Sequence, residues 1–328
     1  MQSLDPKDEQ QLDREVVNFR RQAYAPASKS TYMSQTRSYL SFCLYYGYQP
    51  FPAAGSTLNR YAAFLARSLS ASSIPAYLNA VRTPNLEYGL ADPTKNNFHL
   101  ATTLRRIKRA KGLTVSQKKP ITPQILLALR TQLTWDDPWH ATFWAVCLVA
   151  FFGLLRKANL LCRSSTQFNP SKYLRRGDIV FFADWAIVIN RWSKTIQFSQ
   201  RILTIPLPRI AQHPLCSYTA LKHAFNLVPA PLSGPAFVVP TSRGLIPLTY
   251  RQFDSMLKSL AAAAINLDPS QVSGHSFRSG GATLAFQAQI PAELIKRLGD
   301  WQFDAYRSYI HIPVKDRMLT VRQLASIV

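Results

Sequence analysis

Acidic residues are scarce in this chain: 17 Asp and Glu stand against 39 Lys and Arg, a formal net charge of +22 at neutral pH. Most of the acids that do occur are scattered, with no clustered carboxylate set, so a two-metal nuclease or transposase site has no ligands to build on. Cysteine is scarce as well. Cys43, Cys147, Cys162 and Cys216 show no C-x-x-C spacing, which argues for reduced thiols in an intracellular compartment and against a disulfide framework. The stretch "HPLC" at 213–216 pairs two potential metal ligands, but without a second pair it reads as structural and no metal site is expected. Long hydrophobic runs are absent too. The most apolar stretch, "ATFWAVCLVAFFGLL" (141–155), falls short of the roughly 20 residues a spanning helix needs and runs directly into Arg156 and Lys157, so a buried core helix is expected and no membrane partner. The first fifteen residues are polar and acidic, without the apolar segment of a secretion signal.

What the chain has is positive charge. A pI near 10.2 is far beyond what solubility requires, so a polyanion is the natural partner, nucleic acid before an anionic membrane surface. With 328 residues there is room for two domains, each with its own core. From Ser28, Tyr32, Tyr39, Phe42 and Tyr46 recur at helical spacing ahead of a stop at Gly47. "STLNRYAAFLARSL", "SIPAYLNAVRTPNLEYGL" and "NNFHLATTLRRIKRAKG" predict three more helices, the middle one kinked or ended by Pro84, which makes a helical domain over 1–112. Arg105, Arg106, Lys108, Arg109, Lys111, Lys118 and Lys119 then fall close together without an acid among them. They read as a segment that follows DNA phosphates, where a merely solvated helix end is the plainer alternative. Residues 113–121 look like a basic linker. Beyond it, 122–328 mixes helices with three strand-like runs, "DIVFFA", "WAIVINRW" and "RILTIPLP". The fold class expected is therefore mainly α, a helical front domain followed by a mixed α/β domain with a small antiparallel sheet.

Polar groups in apolar surroundings of the second domain mark the chemistry, because burying a charge needs a reason. Arg156 follows the most apolar stretch; His275 and Arg278 lie three apart at a helix start; Lys194 sits between two strand-like runs where a hairpin tip could carry it over a cleft; and "GDWQFDAYRSYIH" (299–311) supplies Trp301, Tyr306 and Tyr309. Two arginines, a lysine, a histidine and a tyrosine suit a phosphodiester. In-line attack builds charge on the non-bridging oxygens that arginine forks can hold, while histidine and lysine move the two protons without a metal.

"FFGLLRKANLL", "SKT" before "RILTIPLP", "HSFRSGGATLA" and "LGDWQFDAYRSYIH" together resemble, in order and spacing, the tyrosine recombinase (phage integrase) family, and their wording is most similar to its eukaryotic mobile-element branch, the Crypton and DIRS-type recombinases. The resemblance spans essentially the whole chain, the front half being similar to the family's core-binding domain and 122–328 to its catalytic domain. It implies a metal- and ATP-independent, site-specific recombinase or integrase that clamps double-stranded DNA, acts as a homodimer or homotetramer in the nucleus and needs no cofactor. It also implies roles: Arg156 and Arg278 hold the scissile phosphate, Lys194 protonates the leaving 5′ oxygen, His275 assists proton transfer, Trp301 packs beside the phosphate, and Tyr309 forms a 3′-phosphotyrosyl link. Tyr309 is preferred over Tyr306 because Ile310-His311 follows it. Tyr306 is then a packing residue one turn away on a short helix N-capped by Asp304. The tail stripe of Met318, Val321, Leu324 or Ala325, and Val328 would dock on a neighbouring protomer, with packing on its own domain as the alternative.

Departures from the family pattern are Asn159 at an often acidic position, Gln289 where glycine is common, and the bulky Trp185 and Phe303. Three rival readings share parts of this set: a catalytically silent DNA-binding derivative, a metal-dependent nuclease, and a type IB topoisomerase that relaxes DNA without recombining it.

Overall fold

The computed structural model describes residues 9–112, 118–193, 196, 201–265 and 267–312, together with Met318, Leu319, Val321, Arg322 and Ala325 of the tail. Two compact units emerge, Met1–Ser116 and Gln117–Val328. Of the basic linker expected over 113–121, residues 113–117 lie outside the described residues. From Lys119 on the backbone is tied to the second unit, Lys119 donating to the Gln271 carbonyl (2.7 Å) and Ile121 to that of Ser276 (2.9 Å).

The first unit is helical: α1 (Glu9–Gln22), α2 (Pro26–Tyr46), α3 (Gly55–Leu65), α4 (Ile74–Glu87) and α5 (Phe98–Lys111). Its core is aromatic. Tyr39 and Phe42 of α2 bury their rings 5.1 and 5.0 Å from that of Tyr61 on α3, joined by Leu58, Leu65, Ile74, Leu78, Val81 and Leu100. Tyr46, expected on the same stripe, is 40% exposed at its edge. Gly47 ends α2 in the left-handed conformation (φ 69°), which lets Tyr48 donate back to the Cys43 carbonyl (2.9 Å). Pro84 does not end α4, which continues to Glu87. Buried Asn85 next to it accepts from the Ala53 amide (3.0 Å) and donates to the Val81 carbonyl (2.9 Å). The α1 helix was not anticipated: the start of the chain reads as polar, and Leu12, Val16, Val17 and Phe19 of α1 are all exposed.

In the second unit, α6 (Pro123–Thr131) and α7 (Pro138–Phe152) lead into the short α8 (Lys157–Leu160), and every residue from Ala141 to Phe151 is buried. No helix among the described residues is long and apolar enough to cross a membrane. Strands β1 (Ile179–Phe181), β2 (Trp185–Asn190) and β3 (Leu203–Pro208) form an antiparallel sheet in that order, with Val188 registered between Ile179 and Ile205 on the buried face. Then come α9 (Ser217–Leu227), a second hairpin of β4 (Val238–Thr241) and β5 (Gly244–Pro247), α10 (Tyr250–Ile265), α11 (Gly274–Gln287) and α12 (Ala292–Leu298), followed by a 3₁₀ segment, Phe303–Tyr309. The β4–β5 hairpin was missed; "VVPTSRGLIP" carries its signal in the apolar runs either side of Ser-Arg-Gly. All four cysteines are buried and free, and the Cys216 sulfur accepts from the Ile210 amide (3.2 Å) and the Thr219 hydroxyl (3.1 Å).

The contact of α11 with α7 places the site. Gly280 and Gly281 run against backbone: a Cβ on Gly280 would stand 1.7 Å from the Ile121 carbonyl oxygen, and one on Gly281 2.1 Å from that of Phe151. Gly281 therefore lets α11 lie on the end of α7 at backbone distance, and Gly280 lets it lie against the segment that leads into α6. Behind it, Leu154, Ala282, Ile295, Trp301 and Tyr306 form a small core of their own.

Candidate active site

α7 stops where Leu154 turns left-handed (φ 51°), Leu155 donating back to the Ala150 carbonyl (3.0 Å). The turn presents the Leu154 carbonyl to Arg278 on α11, which donates to it through Nη1 and to the Gly299 carbonyl through Nη2 (2.6 Å). The guanidinium carbon lies 3.7 Å from the Trp301 ring centroid and 5.2 Å from that of Tyr309. Gly299 makes this possible, since a Cβ there would fall 1.9 Å from Trp301 Cζ3. Arg278 is 1% exposed, and among the described residues no carboxylate reaches it as an ion pair. Burial, and then the charge of Arg156, pull its pKa down to about 9, with Tyr309 and Asp300 acting in the opposite direction. Among the described residues, two buried donors here have no protein partner, Arg278 Nε and Trp301 Nε1. Carbonyls, an indole face and N–H donors around a buried cation make surroundings suited to an anion.

Arg156 lies beyond α7, half-buried at the N-cap position of α8, where its amide donates to Asn159 Oδ1 (3.0 Å). Asn159, at the position flagged for lacking a carboxylate, is buried and spends its side chain on that cap. The next residue, Lys157, pairs with Asp254 of α10, whose other oxygen accepts from the Gly274 amide (3.3 Å) at the start of α11. One carboxylate thus ties the starts of α8 and α11 together. His275 follows Gly274 with its side chain open to solvent on one side. The protein packed on the other side, and then the charges of Arg156, Arg278 and Lys157, hold its imidazole below the ordinary histidine pKa, Asp254 opposing them.

Tyr309 is half-buried with its ring 5.2 Å from that of Trp301, whereas Tyr306 is 6% exposed inside the small core, its face covered by Lys296 at 5.8 Å. Thr283 of α11 fastens the segment, donating to the Tyr309 carbonyl (3.4 Å) and accepting from the His311 amide (3.0 Å). Asp304 does not cap it. Gln302 holds the N-cap position, and Asp304 lies inside the segment with non-helical angles, paired with Arg307 (3.1 Å) and Lys296 (3.4 Å). Positive φ occurs at Gln289 (58°) and Phe303 (51°), two of the positions singled out as ill-suited to their residues; Trp185 instead stacks on Phe182 at 4.2 Å.

Arg156, His275, Arg278, Trp301 and Tyr309 are thus brought together by α8, α11 and the 3₁₀ segment. Lys194 lies outside the described residues. Sequence reasoning missed Asp300, which is 7% exposed, adopts φ 53°, and receives Arg201 and the Ser193 hydroxyl (3.2 Å) from the β2–β3 connection. Its signal was available in a chain so poor in acids: an aspartate between glycine and tryptophan. On α5 of the first unit, Arg105, Arg106, Lys108, Arg109 and Lys111 are all exposed, and Lys111 donates to the Leu69 carbonyl (2.9 Å). Lys118 and Lys119 belong to the second unit, Lys118 donating to the Ser270 carbonyl. Much of the tail stripe, Leu324 and Val328 included, lies outside the described residues.

A mostly helical fold with small antiparallel sheets is what this chain shares with solved integrase structures. It matches the Tn1549 transposon integrase in complex with transposon right-end DNA at TM-score 0.63 and 14% identity, over 94% of this chain and 98% of that one. A lambda integrase dimer bound to a COC′ core site matches at TM-score 0.61 and 16% identity, over 93% and 94% of the two chains. In sequence the chain is similar to an integrase/recombinase xerD homolog of Selenomonas ruminantium, 24% identical over 272 residues, which cover 81% of this chain and 75% of the relative. No protein-family profile matches it.

Proposed function

We propose that this protein is a site-specific DNA recombinase that breaks and rejoins strands through Tyr309. The observation that carries the reading is the buried Arg278, which among the described residues forms no ion pair and, like Trp301, keeps an N–H donor without a protein partner, lying beside the Tyr309 ring. A phosphodiester supplies the charge and the acceptors this cluster lacks. In the reaction the Tyr309 oxygen attacks phosphorus, its proton passing towards His275. The bond to the 5′ oxygen breaks, and that oxygen takes a proton from Lys194. One phosphoester replaces another, so the 5′ hydroxyl of a second strand can reverse the step without ATP. Arg156, Arg278 and Lys194 supply the positive charge, and no metal or cofactor enters. Double-stranded DNA is the substrate, with assembly as a dimer or tetramer on it. The relatives support that part, since lambda integrase is described both as a dimer on a core site and as a tetramer on a Holliday junction. The wording of "HSFRSGGATLAFQA" and of the tyrosine motif supports placing the protein in a eukaryotic mobile element, and hence in the nucleus.

The test is covalent capture. Incubated with nicked candidate-site duplex in excess EDTA and then denatured, the protein is expected to carry the strand, and Tyr309→Phe to lose the adduct while keeping DNA affinity. Tyr306→Phe should retain it, because that ring packs in the core with or without its hydroxyl. Binding without adduct at any metal concentration would leave a catalytically silent DNA-binding derivative. Cleavage that vanishes with EDTA and returns with magnesium would defeat the mechanism.

A further inference from the structure

We propose that Asp300 is a positioning residue, whose carboxylate fastens both ends of the β2–β3 connection to the Trp301 loop and so sets where that connection meets the scissile phosphate. The geometry runs in two directions from one residue. Outward, one carboxylate oxygen accepts from Arg201, which leads into β3, and the other from the hydroxyl of Ser193, which follows β2 (3.2 Å). Ser193 is 2% exposed and is bridged to Ile196, itself fully buried, so the clasp grips a packed stretch of the connection and not a free tip. Inward, the preceding peptide gives the Gly299 carbonyl to Arg278, and the following residue is Trp301, whose ring covers the same guanidinium.

The backbone supports the reading independently. Asp300 adopts φ 53°, in the left-handed region where glycine is the default and aspartate an occasional occupant. Glycine would adopt it freely, so a carboxylate kept there, nearly buried, has to be held by what it binds. The pair with Arg201 is half-open on the arginine side. Removing the arginine would therefore leave a desolvated carboxylate behind, the costlier half of a broken pair. The functional consequence rests on the recombinase reading, because the connection so fastened carries Lys194.

Two experiments on the full-length chain separate this proposal from that reading. The first needs no DNA: amide hydrogen exchange compared between wild type and Asp300→Asn. The peptides covering 191–203 should exchange at least tenfold faster in the variant, with those covering α11 unchanged; unchanged exchange over 191–203 overturns the clasp whether or not the protein cuts DNA. The second uses two nicked duplexes, one ordinary and one with sulfur replacing the bridging 5′ oxygen, a leaving group that departs without a proton. Asp300→Asn should form adduct at least tenfold more slowly on the oxygen duplex and at nearly the wild-type rate on the sulfur one. Equal loss on both would mean that Asp300 serves folding or phosphate binding, and the positioning role falls. Ser193→Ala, which removes one contact of the clasp and leaves the Arg201 pair in place, should move both results in the same direction and carries the test should Asp300→Asn fail to fold. A wild-type protein that captures neither duplex defeats the recombinase reading, while the exchange experiment still decides the clasp.

Discussion

His275 stands two residues into α11 with Arg156, Lys157 and Arg278 around it and Asp254 as the one group favouring its charge. A histidine held below its ordinary value stays neutral into mildly acidic solution, which keeps it able to take a proton. The acid limb of kcat/KM for adduct formation, which reports the free enzyme, should therefore fall below the usual histidine range near 6.5. Asp254→Asn should move it lower still, and a limb at or above 6.5 in the wild type would show that His275 is not the titrating group. The sign for stability follows from the same depression. The unfolded chain binds this proton more readily, so the contribution is full above the ordinary histidine pKa and is lost as pH falls through it towards the folded value. At this scale the sequence was readable where a residue's chemistry is conspicuous. Arg156, His275, Arg278, Trp301 and Tyr309 were named from motif context, and the structure gathers them. Asp300 escaped because its partners, Ser193 and Arg201, come from another part of the chain. The cap assigned to Asp304 failed because Lys296 and Arg307 compete for its carboxylate.

The spaced aromatics and Gly47 stop of α2 and the β-branched runs of β1 to β3 were legible, and so was the fully buried α7, whose uniform apolarity has no polar face to misplace. α1 and the short β4–β5 hairpin were not: α1 exposes its apolar residues after a polar start, and each strand of the hairpin has only four residues. What no periodicity announces is the approach of α11 to α7 and to the Ile121 backbone, which depends on the absence of one β-carbon at each contact. Gly281→Ala would set a methyl 2.1 Å from the Phe151 carbonyl oxygen and 2.5 Å from Leu154 Cδ2. Overpacking of this kind costs about 1–3 kcal/mol, and the strain falls on the turn that offers the Leu154 carbonyl to Arg278. Denaturant unfolding of Gly281→Ala should show stability lowered by that amount, read as a lower midpoint with the slope unchanged, together with slower adduct formation. Wild-type stability would mean that α11 can move off α7 freely, and the glycine pair would then not be what places the site.

For the whole molecule the dominant quantity is charge. A net +22 is distributed over a chain in which α5 alone exposes Arg105, Arg106, Lys108, Arg109 and Lys111, and among the described residues none of these five forms an ion pair. Such a helix gains little from folding by being so basic, because like charges four apart on a helix repel. Its composition makes sense against a polyanion, where each phosphate neutralised releases condensed counterions. The affinity for duplex DNA should then fall steeply with salt, by about a thousandfold between 50 and 200 mM if some six phosphates are contacted. Arg105 and Arg109 lie one turn apart on α5, so replacing both with glutamine should flatten the log–log slope by about two and weaken binding to specific and random sequences alike, since phosphate contacts carry no base information. Measured by fluorescence anisotropy across a salt series, an unchanged slope in the double variant would remove α5 from the DNA interface, and a flat slope in the wild type would remove DNA as the reason for the charge.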